Sequence, residues 1–193
     1  MKFDLSFKVD KEVLEEMVVL VSQASYMGLE KQGHVGTHFD VMDKEFSIDK
    51  IITKGRIFDI SHIKTGEVKV NDLDLSSVEK GDFVMFYSGI LKQLRYGSKE
   101  YFSTHIELSN ELINYLINKE VNFIGIDMSG AQKPDTHLYI DQYCADRGVF
   151  IIENLDNLDL LLENASNKSF TVYTFPVNMS GFSGLPCRVI AEI

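Results

Sequence analysis

The chain has 193 residues, 45% of them hydrophobic, and a formal net charge of −10. This length and composition suit one globular domain with a substantial core, so we expect a single domain over residues 1–193. The balance of 29 acidic to 19 basic residues argues against nucleic acid and anionic membrane surfaces as partners.

Cysteine usage and the first residues bear on the cellular setting. Cys144 and Cys187 lie far apart and form no CxxC pair, which favours a reduced, cytoplasmic protein. The start of the chain lacks the apolar core of a signal peptide. The longest apolar run near it, residues 17–21, is too short to cross a bilayer.

The first half of the chain is predicted to be mainly strands with one helix. Alternation over 3–9 predicts a strand, and apolar residues at helical spacing after Asp10 predict a helix that ends before Gly28. Further strands are predicted over 51–60, 67–70 and 83–87, with one helical turn within 71–80. Residues 89–101 are predicted to form a loop.

Helices and strands alternate in the second half. Helices are predicted over 109–119, 136–146 and 155–164, and strands over 121–128, 149–153, 169–177 and 187–193. Loops are predicted over 129–135 and 178–186. This order predicts an α/β fold with a mixed β-sheet core.

One segment, His34-Val35-Gly36-Thr37-His38-Phe39-Asp40, holds two imidazoles and a carboxylate within seven residues. In an extended chain residues 34, 36, 38 and 40 share one face, and Gly36 leaves space between the histidines. Two neutral imidazoles and a carboxylate are a common ligand set for a divalent metal in a hydrolase. A polar loop whose histidines bond to backbone or solvent is the alternative, and it suits a lone histidine better.

Several segments in chain order resemble the metal-dependent cyclase family, which includes bacterial kynurenine formamidases and isatin hydrolases. The most specific is the His-x-Gly-Thr-His-x-Asp pattern over 34–40. The others are Phe3-Asp4-Leu5-Ser6, Gly81-Asp82-Phe83-Val84, Ser88-Gly89, Leu108-Ser109, Gly125-Ile126-Asp127 and the segment Gly148 to Leu155. The resemblance therefore runs along most of the chain.

The resemblance implies a swivelling β/β/α fold that assembles as a homodimer or homotetramer. It implies metal-dependent hydrolysis of a small amide, formamide or lactam, as in an arylformamidase. The implied metal ligands are His34, His38, Asp40 and Glu153. The implied metal is zinc, with manganese as the alternative, because imidazole and carboxylate ligands suit both.

Three positions depart from the family pattern. Met42 and Lys44 stand where the family usually has Pro and His, and Asp141 stands where it usually has a His twelve residues before the glutamate. Two expected imidazoles are therefore missing. We predict a site with one metal, held by His34, His38 and Asp40 with help from Glu153 or Asp141.

The one-metal hypothesis assigns an electrostatic and a catalytic role to Lys44. Its ammonium would supply positive charge where a second cation would sit, and a nearby metal would lower its pKa. Lys44 would then act as a proton shuttle, and Glu153 is the other residue assigned to catalysis.

Several other residues are candidates for the site, and most of them also have a structural explanation. His137 could reach the pocket in place of the missing histidine or simply begin a helix, and Cys144 could be a soft ligand or a packed side chain. Thr37 could help to hold an oxyanion. Tyr96, Phe102 and Phe182 could line a pocket or belong to the core, while His62 and His105 are predicted to be surface or structural residues.

Two other functions stay open from sequence. The missing histidines would also fit a catalytically silent metal- or small-ligand-binding protein of the same fold. A family member that performs elimination or ring closure is a further alternative.

Overall fold

Strands and helices alternate along the chain in a computed structural model that describes residues 1–23, 33–103, 106–165 and 168–193. The strands are β1 (Lys2–Asp4), β2 (His38–Asp40), β3 (Ile52–Asp59), β4 (Gly66–Val68), β5 (Phe83–Tyr87), β6 (Ile106–Leu108), β7 (Phe123–Ile126), β8 (Phe150–Glu153), β9 (Phe170–Pro176) and β10 (Gly184–Glu192). The helices are α1 (Lys11–Gln23), α2 (Ile90–Gln93), α3 (Lys99–Phe102), α4 (Asn110–Asn118), α5 (His137–Ala145) and α6 (Leu158–Ala165).

Eight of the strands form one mixed sheet in the order β1-β10-β2-β8-β7-β5-β3-β9. Strand β9 also pairs with β10, so the sheet closes into a barrel. Strands β3, β5, β7 and β8 are parallel neighbours, whereas β2, β9 and β10 join them by antiparallel pairing. Strands β4 and β6 form a separate parallel pair.

The two faces of the sheet bury two different apolar clusters. Phe83 and Met85 of β5 lie in one cluster, and the alternate residues Val84 and Phe86 lie in the other. This alternation follows from the two-residue period of a strand, and it explains why β5 reads as a continuous apolar run.

The α/β class and the mixed sheet core expected from the sequence are both present. Most predicted elements agree with the observed ones within a few residues. The predicted end of the first helix before Gly28 lies outside the described residues, as does His105. Among the residues that the structure describes, no helix is both long and apolar enough to cross a membrane.

Some boundaries were predicted wrongly. The segment 89–101 is not a plain loop, because it contains α2 and the start of α3, whose Ser98 cap accepts a hydrogen bond from Tyr101 N. The first strand ends at Asp4, and Ser6 forms only an isolated bridge with Leu155. That bridge holds Leu155 outside the next helix, so α6 begins later than predicted.

Candidate metal centre

The pairing of β2 with β8 sets the centre of the site. The register places His38 directly opposite Glu153 and Phe39 opposite Ile152. Phe39 and Ile152 enter an apolar cluster. The side chains of His38, Asp40 and Glu153 are also buried, and the Nε2 atom of His38 lies 3.5 Å from Oε2 of Glu153.

The segment before β2 folds back towards the strand. Only residues 38–40 are extended, and Gly36 has a φ of +71°, so the predicted extended chain over 34–40 is wrong. The turn nevertheless brings His34 to the strand residues. Its Nδ1 atom lies 3.1 Å from Nε2 of His38 and 3.1 Å from Oδ1 of Asp40. The distance from His38 Nε2 to Asp40 Oδ1 is 3.6 Å.

The loop between β9 and β10 supports His34 from the other side. The Nε2 atom of His34 lies 2.9 Å from Oγ of Ser183, so Nδ1 is left to face His38 and Asp40. Gly184 packs against the same ring, and a Cβ atom at residue 184 would come within 2.6 Å of it. The sequence indicated a glycine-bearing loop here but did not connect it to His34.

Helix α5 brings a second group to Glu153. His137 and Asp141 lie one turn apart, with Nε2 of His137 at 2.9 Å from Oδ2 of Asp141 and 3.0 Å from Oε1 of Glu153. His137 therefore reaches the site, as one of its two readings from sequence predicted. Its imidazole stands one helical turn before the position at which the family usually has a histidine.

The six side chains form two groups that share Asp40. The first group is His34, His38 and Asp40, and the second is Asp40, His137, Asp141 and Glu153. Within each group one potential ligand atom per residue lies within 4.8 Å of all the others. Donor atoms that share one ion through bonds of ~2.1 Å are at most ~4.2 Å apart, so the shorter distances above already suit shared coordination.

The charges in the site are strongly coupled. Burial raises the pKa of Asp40, but the imidazoles of His34, His38 and His137 outweigh it and lower that pKa. Burial lowers the pKa of His38. For Asp141, burial and the charge of Asp40 raise the pKa to about 7, although His137 opposes them.

Buried oxygens without partners test whether a cation fits. Among the described residues, Oδ2 of Asp40 and Oδ1 of Asp141 are buried without a hydrogen-bond partner, whereas Oδ1 of Asp40 and Oε1 of Glu153 face imidazole nitrogens of the site at 3.1 and 3.0 Å. Unsatisfied carboxylate oxygens are costly, and a divalent cation satisfies several of them at once. Neutral imidazoles and carboxylates are also the donors that Zn²⁺ and Mn²⁺ accept. The residues present therefore fit a divalent cation.

Solvent reaches the site at two histidines. The side chains of His34 and His137 are 22% and 23% exposed, whereas those of His38 and Asp40 are nearly fully buried. These two rings are the most exposed of the six side chains.

Lys44, predicted to act as a proton shuttle, is paired with two carboxylates outside the two ligand groups. Its Nζ atom lies 2.8 Å from Oδ1 of Asp43 and 2.8 Å from Oδ1 of Asp146. The hydrogen bonds to Asp146 and Asp43 raise the pKa of Lys44, whereas a bound metal was expected to lower it. The ammonium is held by these surface carboxylates, because residues 41–44 leave β2 in a turn in which Met42 has a φ of +57°.

The hydroxyls of Thr37 and Tyr96 are both engaged in structural hydrogen bonds. The hydroxyl of Thr37 donates to the carbonyl of Asn154 at 2.7 Å and accepts from Phe7 N at 2.7 Å, so it is not free to hold an oxyanion. Tyr96 is buried, and its hydroxyl accepts a hydrogen bond from Gly36 N at 2.8 Å. Tyr96 belongs to an apolar core cluster, as its core reading predicted.

The remaining predicted residues lie on both sides of the site. Cys144 is buried in an apolar cluster, as its packed reading predicted, and both cysteines are free. Phe102 borders a narrow cleft beside His137. Phe182 lines a groove of about 640 Å³ between residues 41–51 and 175–185. The lining of this groove includes none of the six ligand residues, and much of it belongs to the apolar cluster that contains Phe39.

Comparison with known proteins agrees with this geometry. The family model named Cyclase matches residues 3–133, more than half of the chain. The chain belongs to the cyclase family. No curated protein sequence matches this chain.

Solved structures share the fold of this cyclase-family chain at low sequence identity. Isatin hydrolase A from Labrenzia aggregata, bound to benzyl benzoate, superposes with a TM-score of 0.77 at 16% identity, covering 100% of this chain and 93% of that one. A protein described as a predicted metal-dependent hydrolase from Bacillus stearothermophilus superposes with a TM-score of 0.70 at 18% identity, and the match covers 99% of this chain and 97% of that one. Isatin hydrolase A from Ralstonia solanacearum superposes with a TM-score of 0.69 at 18% identity, and the match covers 83% of this chain and 72% of that one.

Proposed function

We propose that this protein is a metal-dependent hydrolase that cleaves the C–N bond of a small amide, formamide or lactam. The observation that carries the proposal is the pair of ligand groups sharing Asp40, in which Oδ2 of Asp40 and Oδ1 of Asp141 are buried without a partner among the described residues. Membership of the cyclase family supports it, as do structural neighbours described as isatin hydrolases.

The first group, His34, His38 and Asp40, is proposed to hold one divalent cation, zinc or manganese. The second group has the same donor types, so we propose it as a second cation position in which His137 replaces the missing family histidine. This extends the one-metal site predicted from the sequence. A cation bound here would lower the pKa of a water molecule and polarise the substrate carbonyl.

Glu153 is proposed as the proton carrier. Its carboxylate belongs to the second group through Oε1, which faces His137, and its Oε2 faces His38 of the first group. From this place it can accept the proton of the attacking water and deliver it to the leaving nitrogen. Lys44 is not needed for this step.

Elemental analysis and a hydrolysis assay test the proposal together. We expect about two equivalents of zinc or manganese per chain, and turnover of isatin or N-formylkynurenine by the loaded protein. His38→Ala should lose metal and turnover together, whereas the matched control His62→Ala, at an exposed histidine outside the site, should keep both. Metal binding without turnover of any lactam, formamide or arylamide would leave a metal-binding protein and overturn the hydrolase proposal.

A further inference from the structure

Asn154, the residue after Glu153, lies beside the imidazole of His38. Asn154 is 2% exposed, and its Nδ2 atom donates to the carbonyl of Gly36 at 3.0 Å and lies 3.5 Å from Nδ1 of His38. Glu153 faces Nε2 of that ring. Two consecutive residues thus approach the two different nitrogens of His38.

The backbone of Asn154 makes this arrangement feasible. Successive side chains of a strand point to opposite faces, but Asn154 has a φ of +57° and leaves the strand conformation. Asparagine tolerates this left-handed region better than most residues. The sequence signal was therefore present as an Asn directly after a strand, although nothing in the sequence linked it to His38.

Hydrogen bonds fix which nitrogen of His38 carries the proton. Nδ1 lies 2.9 Å from the carbonyl of Gly36, which can only accept, so Nδ1 is the protonated nitrogen. The lone pair on Nε2 then faces Asp40 and His34. This is the tautomer that a cation in the first group requires.

Asn154 holds the carbonyl that makes this choice. Its side chain donates to the Gly36 carbonyl, and its own carbonyl accepts from the Thr37 hydroxyl at 2.7 Å. The hydroxyl of Tyr101 donates to Oδ1 of Asn154, which orients the amide with Nδ2 towards Gly36. The Gly36–Thr37 peptide unit is therefore clamped from the end of β8.

We propose that Asn154 is a positioning residue that sets the tautomer and orientation of His38 through the Gly36 carbonyl. The proposal rests on the cation position proposed for His34, His38 and Asp40. Asn154 itself touches neither substrate nor cation, so it is expected to act on metal affinity through the Gly36 carbonyl and His38.

The test compares two asparagines that share the left-handed conformation. Asn154→Gly keeps a residue that favours positive φ and removes only the side-chain amide. The matched control is Asn157→Gly, since Asn157 has a φ of +55° and makes an exposed hydrogen bond from Nδ2 to the carbonyl of Asp4. Tyr101→Phe is a second, milder variant that frees the Asn154 amide without removing it.

The readouts are the affinity for Co²⁺, its visible absorption spectrum, and the side-chain ¹⁵N shifts of His38 in metal-free protein. We expect Asn154→Gly to weaken Co²⁺ binding by about 10- to 100-fold and to mix the His38 tautomers. Asn157→Gly should bind as the parent does, with Tyr101→Phe between them. The thermal midpoint in chelator should fall further in Asn154→Gly than in Asn157→Gly, because only Asn154→Gly removes two buried side-chain hydrogen bonds, so affinities are measured well below both midpoints.

The outcomes separate this proposal from the proposed function. If the parent protein binds no Co²⁺, Zn²⁺ or Mn²⁺, the cation site itself is wrong. If the parent binds Co²⁺ and Asn154→Gly matches Asn157→Gly in affinity, spectrum and ¹⁵N shifts, the cation site stands and the role of Asn154 is overturned.

Discussion

Gly184 lies so close to His34 that a Cβ atom on residue 184 would come within 2.6 Å of the imidazole ring. We expect Gly184→Ala to displace the ring and to weaken metal binding by about tenfold or more. Isothermal titration with Zn²⁺ measures the effect. Circular dichroism should show an unchanged fold, and an unchanged dissociation constant would mean that the ring can shift without loss of coordination.

Ser183→Ala tests the other support of His34. It removes the hydroxyl that lies 2.9 Å from Nε2, so we expect a severalfold weaker affinity for Zn²⁺. Ser180→Ala is the matched control, because Ser180 is exposed in the same loop. Equal affinities in the two variants would contradict a role for Ser183.

The proposal that His137 replaces the usual family histidine can be tested by placing a histidine at residue 141 instead. We expect His137→Ala to lose about one equivalent of metal, because the second group then lacks its only imidazole. The double variant H137A/D141H carries the imidazole at the usual family position and should regain part of that equivalent. Elemental analysis counts the metal, and no recovery in the double variant would argue against equivalent positions.

Lys44→Met is expected to leave metal content unchanged. The ammonium pairs with Asp43 and Asp146 at the surface, and exposed pairs of this kind contribute little. Asp40→Asn, measured beside it, should lose metal, since Asp40 belongs to both groups. A loss of metal in Lys44→Met would restore the electrostatic role first assigned to this residue.

Metal should stabilise the fold. A cation that binds only the folded state, at a concentration 100-fold above its dissociation constant, adds ~2.7 kcal/mol to the free energy of unfolding. For a chain of this size, that corresponds to a rise of roughly 5–10 °C in the thermal midpoint. Differential scanning calorimetry with and without chelator measures it, and His38→Ala should show a much smaller rise.

Asp127 predicts a pH dependence of stability away from the metal centre. It accepts hydrogen bonds from Ser88 N and Gly89 N at 2.8 and 2.7 Å, yet burial outweighs them and raises its pKa to about 6. A carboxyl with a raised folded-state pKa contributes most stability below its unfolded-state pKa and loses it as pH rises through 6. The free energy of unfolding should therefore fall between pH 4 and 7 relative to that of Asp127→Asn. Denaturant unfolding at both pH values measures this, and parallel pH profiles would contradict it.

The sequence allowed much of the fold to be predicted because its periodicities are strong. Strand β5 is a continuous apolar run, and α4 combines a Ser109 cap with a clear apolar face. Strand β6 was not predicted, since three residues offer too little pattern. The loop prediction over 89–101 failed because Ser98 and Gly89 start short helices that have no apolar periodicity of their own.

The site was predictable only in part, for a different reason. His34, His38 and Asp40 lie close in sequence, so their proximity could be inferred directly. Ser183, by contrast, lies 149 residues from its contact with His34, and no local pattern encodes such a pairing. Lys44 was assigned by its place in the family pattern, and the turn after β2 that leads it to Asp146 could not be read from that pattern.

Strand β10 has a consequence for how the protein matures on the ribosome. It pairs with β1, β2 and β9, and the residues at its start support His34. A nascent chain that has released His34, His38 and Asp40 still lacks the strand that closes the barrel around them. Contacts this distant in sequence form slowly. We therefore expect metal loading to follow synthesis, so that a growing chain exposes its histidines before it can retain an ion.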